Sequence, residues 1–116
     1  RARIEIDYVV HQKAGDVVFG IALNREDGVI AHGSNTDIER SGFSDLGSRG
    51  TVIYDISRLG LLDGSYSLDV AAHRGDGYPY DYHKGALLFR VRWPLKQAGI
   101  YLPEHKWDIR VGRDVF

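Results

Sequence analysis

The stretch DVVFGIALNREDGVIAHG, Asp16 to Gly33, decides the fold. Val17, Phe19, Ile21 and Leu23 fall on alternate positions, the two-residue period of a strand that buries one face. Gly20 and Ala22 occupy intervening positions and leave the other face nearly smooth. Asp27-Gly28 then marks a hairpin turn, because glycine takes positive φ without steric penalty. VIAHG returns as a short strand, closed by the polar SNTD. Two strands joined by such a turn are antiparallel neighbours.

The same period recurs along the chain. In RIEIDYVV (3–10), Ile4, Ile6, Tyr8 and Val10 alternate with Glu5, Asp7 and Val9. TVIYDI (51–56) reads as another strand. LGLLDGSYSLDVAAH (59–73) holds an Asp63-Gly64 turn, then Tyr66, Leu68, Val70 and Ala72 in alternation. ALLFRVRW (86–93) sets Leu87, Phe89, Val91 and Trp93 against Leu88, Arg90 and Arg92. The tail GIYLPEHKWDIRV (99–111) predicts one more, interrupted strand with Trp107, Ile109 and Val111 on one face. Residues 39–50 and 74–85 read as polar loops. PLKQAG (94–99) has room for a single helical turn. About seven short strands without a longer helical window predict an all-β fold, an antiparallel β-sandwich, as one domain over residues 1–116.

Composition narrows the function. With no cysteine, disulfides and thiolate metal sites are excluded. The net charge of −1 comes from interspersed acids and bases. No basic face emerges, so nucleic acid is not an expected partner. No apolar run reaches the ~18 residues of a membrane span. The chain holds no methionine and starts at Arg1, which leads us to expect a longer parent polypeptide. No G-x-x-x-x-G-K-[ST] loop and no G-x-S-x-G elbow occur, so neither ATP hydrolysis nor serine hydrolysis is expected of this chain. Asp81, His83 and His73 are near in sequence, but without an H-x-H or HExxH pair they do not make a convincing zinc set. No cofactor is called for.

Four segments, taken in order, carry a resemblance: VVFGIALNREDGVIAHGSNTD (17–37), LGLLDGSYSLDVAAH (59–73), YDYHKGALLFRV (80–91) and GIYLPEHKW (99–107). Together they resemble the C-terminal domain of Wzt-type proteins, the ATPase subunits of bacterial ABC exporters for O-antigen and related polysaccharides. The resemblance implies an immunoglobulin-like antiparallel β-sandwich that serves as a non-catalytic carbohydrate-binding module and recognises the non-reducing end of a lipid-linked glycan. It implies a location in the cytoplasm, at the inner face of the inner membrane, with the parent ATPase and membrane-transporter subunits as partners. It further implies a homodimer in which the last strand, within residues 99–116, is exchanged between protomers.

Glycan binding uses aromatic faces against sugar rings, planar polar groups against paired hydroxyls, and arginine against any anionic substituent. Asp69 and His73 on one strand, with Arg90 and Arg92 on the next, share an outward face if those two strands are neighbours. Asp69 would then accept from hydroxyls, His73 would donate or stack, and Arg90 would clamp an anionic cap. Tyr78 and Tyr80, stiffened by Pro79 between them, are the candidates for ring stacking at the rim. The plainer reading of the charged set is cross-strand pairing on a wet face. His32, Asn35, Thr36 and Asp37 form a second polar set, in which Asn and Asp commonly bond their own backbone. Tyr82 and His83 are read as packing the loop end, and the phase of Trp93 and Trp107 points to core or interface. The competing function is a structural sandwich that mediates dimerisation without a ligand.

Overall fold

Alternating apolar side chains sort six antiparallel strands into two layers. The computed structural model describes residues 1–12, 15–39, 46–110 and 112. The smaller sheet pairs β1 (Ala2–Val9) with β4 (Arg49–Ile56). The larger sheet runs, in spatial order, β3 (Ile30–Asn35), β2 (Val18–Arg25), β5 (Gly64–His73) and β6 (Pro79–Val91). There is no helix among the described residues.

The predicted alternation places the core. Ile21, Leu23 and Leu68 are buried together, and Ile4, Ile6, Tyr54, Ile56, Val70 and Phe89 pack against them. Each such aliphatic side chain contributes about 1.5–3 kcal/mol by leaving water. The first turn forms as expected: Gly28 has φ +88°. The Gly28 N–H donates to the Arg25 carbonyl over 2.8 Å. The Arg25 guanidinium bonds both oxygens of Asp27, at 2.9 and 2.6 Å. That hydrogen bond is the main cause holding the Asp27 carboxyl below its ordinary range.

One contact ties the end of the smaller sheet. The Tyr8 ring lies across Gly50, its register partner on β4. Its hydroxyl donates to the Leu46 carbonyl at 2.6 Å. The ring also packs 5.5 Å from Phe19 of the opposite sheet. A Cβ at Gly50 would sit 2.5 Å from the Tyr8 oxygen.

Three expectations need correction. Residues 79–85 are not loop: β6 begins at Pro79, and the connection is the tight turn at 74–78. That turn is closed by Gly77 N–H to Arg74 C=O (2.8 Å) and Arg74 N–H to Tyr78 C=O (2.7 Å). The strand was hidden because it is polar along an uncovered edge and a bulge interrupts its period. Second, Trp93 lies past the end of β6 and is 40% exposed, so it does not continue the Phe89–Val91 face into the core. Third, among the described residues the tail makes no seventh strand with its own chain. Leu61 and Tyr101 form a single bridge, and residues 103–110 pair with no strand. Trp107 and Ile109 are exposed by 89% and 82%, while Val111 lies outside the described residues. Within the 39–50 stretch, Arg49 and Gly50 belong to β4, and residues 40–45 lie outside the described set.

Gly50→Ala is expected to displace the Tyr8 ring and destabilise the fold by about 1–3 kcal/mol in urea unfolding. An unchanged midpoint would mean that the ring relocates without loss.

Candidate functional site

The outward face of the larger sheet is built by the same alternation that builds the core. Inward Ile21 and Leu23 turn Gly20, Ala22 and Asn24 of β2 outward. Register places Asn35, Gly20, Ala71 and Tyr82 in one row across the four strands. Gly33, Ala22 and Asp69 form the next row. The floor carries nothing larger than a methyl group. The result is a shallow groove of about 280 Å³, flanked by Asn35, Ile38, Asp69, His73 and Tyr82.

The glycines are not forced by packing. A Cβ at Gly20 would come no closer than 3.6 Å to any neighbour, and one at Gly33 no closer than 3.7 Å, both ordinary contacts. Neither residue has positive φ. Glycine inside a strand weakens it and often marks a close approach of something else. Here its effect is to leave the groove open.

Asp69 anchors the far wall. Between the pairs Leu68–Leu87 and Val70–His83, β6 runs Lys84, Gly85 and Ala86 against Asp69 alone, a bulge with Gly85 at φ +62°. The Gly85 N–H donates to one Asp69 oxygen at 2.7 Å. Asn24 Nδ2 and the Tyr82 hydroxyl donate to the other, at 2.9 and 3.3 Å. Tyr82 is held above the ordinary phenol range, first by desolvation and then by the Asp69 charge, so it remains a donor to that carboxylate. His73 Nδ1 lies 2.7 Å from the Arg74 carbonyl. A carbonyl only accepts, so Nδ1 carries the proton, and in the neutral form of the ring Nε2 is then the acceptor. Asn35 Oδ1 accepts from the Ile38 N–H at 2.7 Å, which fixes the amide and leaves its NH2 as a donor.

The structure brings only part of the expected set together. β5 and β6 are neighbours, and Asp69 and His73 share the outward face. Arg90 is on that face but opposite Ser65, four residues from Asp69, or about 13 Å along the strand. Its guanidinium is held by Asp63 (3.1 Å) and Ser65 Oγ (3.1 Å). Arg92 follows the last residue of β6. The register therefore separates both arginines from His73. Tyr78 sits in the 74–78 turn, under the Arg74 guanidinium at 4.8 Å and edge-on to Tyr80 at 6.3 Å. Tyr80 donates to the Asp16 carbonyl at 3.1 Å. Neither borders the groove; Tyr82 does. Of the second polar set, Asn35 lies at the rim, whereas Thr36 accepts the Phe19 N–H at 3.1 Å and His32 meets the Tyr54 hydroxyl at 2.8 Å. His83 and Asp81 pair at 3.1 Å opposite Val70 and Ala72, on the reverse face from His73. No group of three His, Asp or Glu side chains suited to a metal occurs among the described residues.

Sequence reasoning did not assign Tyr82 or Asn24 to a site. The smooth Gly20/Ala22 face was a visible signal for the floor. The bulge that aims Asp69 and Tyr82 at each other was not visible.

Two antiparallel sheets with an open, small-residue face on the larger one define a β-sandwich module with a surface groove. Residues 1–101 match the Wzt C-terminal domain, and the chain belongs to that family. The chain is 29% identical over 109 residues to the O-antigen export system ATP-binding protein RfbB of Myxococcus xanthus, covering 94% of this chain and 24% of that protein. It thus spans about a quarter of the relative's length. The crystal structure of the C-terminal domain of Wzt superposes with a TM-score of 0.78 at 17% identity, over 93% of this chain and 69% of that one. That likeness establishes the shared fold.

Asp69→Ala would leave the Gly85 N–H, Asn24 and Tyr82 without their acceptor. A loss of about 1–3 kcal/mol is expected, with faster amide exchange at Gly85. Unchanged exchange there would show that the bulge holds without the carboxylate.

Proposed function

We propose that this chain is the glycan-recognition module of an O-antigen-type polysaccharide exporter. It would receive the non-reducing end of a lipid-linked glycan on the groove between Asn35 and Tyr82. The observation that carries this reading is a groove floor kept free of side chains although the sheet has room for them at Gly20 and Gly33. Tyr82 offers a ring edge, Asn35 a donor, and His73 an acceptor for hydroxyls. No step of bond making or breaking is assigned to these groups. ATP hydrolysis would belong to the parent subunit, as the name of the Myxococcus xanthus relative suggests. The module would work in the cytoplasm, at the inner face of the membrane, beside the transporter subunits. Shallow sites of this kind bind weakly, on the order of 10 μM to 1 mM, or about −4 to −7 kcal/mol. Gly33→Val is expected to fill the groove and abolish glycan binding by titration calorimetry while urea stability is kept. Full binding by a folded Gly33→Val chain would move the site elsewhere.

A second reading concerns assembly, and we infer that the tail is exchanged between two copies. The larger sheet has four strands but the smaller only two. Leu87 faces inward opposite Leu68, yet it is 55% exposed. An open cleft of about 810 Å³ lies there, lined by β1 and by Tyr80, His83, Ala86 and Leu87. The tail, meanwhile, stands away from the body. The Cα radius of gyration is 19.7 Å, against about 13 Å for a compact chain of this length. A partner's Trp107 and Ile109 on a third strand beside β1 would cover Leu87. The exchanged part starts later than the expected residue 99. Leu62 N–H to Ile100 C=O (2.8 Å) and Leu102 N–H to Gly60 C=O (2.6 Å) hold residues 100–102 in their own chain. Deleting 103–116 is expected to give a monomer by light scattering, and a truncated chain that stays dimeric would sink the exchange.

A further inference from the structure

We propose that the groove selects a neutral, hydroxyl-rich sugar terminus and rejects one bearing a carboxylate or phosphate. This rests on the reading of the groove as the glycan site.

The argument is electrostatic. None of the residues lining the groove is lysine or arginine. Its one carboxylate is Asp69, and the three groups that donate to it, from Gly85, Asn24 and Tyr82, are all uncharged. Hydrogen bonds from neutral donors orient a carboxylate but leave its negative charge in place. No lysine or arginine ion-pairs with Asp69 among the described residues. A second carboxylate, Glu39, is bonded by Ser34 Oγ beside β3.

Among the described residues, the cations that could offset this charge are committed elsewhere or stand outside the groove. Arg74 bonds Asp76 at 2.9 and 2.7 Å and stacks on Tyr78. Arg90 is held by Asp63 at the opposite end of β5. Lys84, in the bulge, does not line the groove. An anionic substituent entering over Ala22 and Ala71 would meet a carboxylate and, among the described residues, no lysine or arginine.

The remaining polar atoms favour hydroxyls. His73 Nε2, Tyr82 Oη and the Asp69 oxygens accept, and a sugar hydroxyl can donate to each. A carboxylate or phosphate dianion has no proton to give them. The only donor assigned at the rim is the Asn35 amide. A neutral terminus is thus matched on both charge and hydrogen-bond sense, whereas an anionic substituent placed against these acceptors is matched on neither.

The test is an ¹⁵N NMR titration of the chain with paired probes. Methyl glycosides and disaccharides of neutral hexoses are compared with their uronate and 6-phosphate counterparts. The Ala22, Gly33 and Ala71 amides report the groove. Neutral members are expected to shift these amides, with the anionic counterparts at least ten-fold weaker, about 1.4 kcal/mol. Ala22→Lys, which adds a cation to the floor beside Asp69, is expected to improve the anionic probes about ten-fold. Anionic probes that bind as tightly as neutral ones at the same amides would overturn the selectivity and leave the groove reading intact. If no probe moves those amides, the groove reading fails and this inference falls with it.

Discussion

The pairing of β2 with β5 governs both faces of the larger sheet. Ile21 and Leu23 meet Val70 and Leu68 across that ladder, and burial of three of these four is what holds the two layers together. Because side chains alternate with period two, fixing these residues inward fixes Gly20, Ala22, Asp69 and Ala71 outward. A slip of one residue would put a glycine, an alanine and a carboxylate into the core, at a cost of several buried aliphatic side chains at about 1.5–3 kcal/mol each. The groove is therefore not an addition to the fold. It is the reverse side of the core, and it has the same register.

The bulge opposite Asp69 turns that register into a shaped surface. Three residues of β6 stand against one of β5, so their backbone groups cannot all find ladder partners. Asp69 supplies the missing acceptor for Gly85 and at the same time holds Tyr82 and Asn24. A charged acceptor with three neutral donors is well satisfied, which makes its role in shape compatible with a half-buried position. The same arrangement leaves a net negative charge at the groove wall. The structural role of this carboxylate and its proposed role in recognition thus fall on one side chain, whose charge is met by neutral donors rather than by a cation as Asp63 is by Arg90.

The strands with a covered face were legible from the sequence. β1, β2, β4 and β5 each bury alternate residues, and each was read from that alternation. β3 was legible from its turn, since Asp27-Gly28 dictates a return strand. β6 was only half legible: Leu87, Phe89 and Val91 alternate, but Pro79 to Ala86 is polar, exposed and bulged, so period two carries no hydrophobic signal there. The site suffered for the same reason. Parity alone puts Asp69 and His73 on the outward face, where the structure has them. Arg90 and Arg92 were placed beside them because adjacency of two strands was right while the register along them, set by the bulge and by the 74–78 turn, was not readable. Tyr78 and Tyr80 were nearer in sequence to the loop, yet one more step along β6 puts Tyr82 at the groove. Trp107 and Ile109 have the phase of a strand but no strand partner among the described residues, and periodicity does not say whose strand they join.

The two open surfaces of the larger sheet lie back to back. β5 and β6 present the groove on their outer face and the uncovered Leu87, with the Asp81–His83 pair, on their inner face. Both surfaces meet at the bulge: Gly85 is bonded by Asp69 on the groove side, and Ala86 and Leu87 line the cleft on the other. A free edge strand with inward leucine exposed is a hazard for edge pairing unless something covers it. If a second copy's tail covers it, that strand packs under the very segment whose bulge shapes the groove wall. Assembly would then stiffen the wall that carries Asp69 and Tyr82, and the groove would be best ordered in the dimer. The physical link is short, one strand thick, and needs no rearrangement of the core.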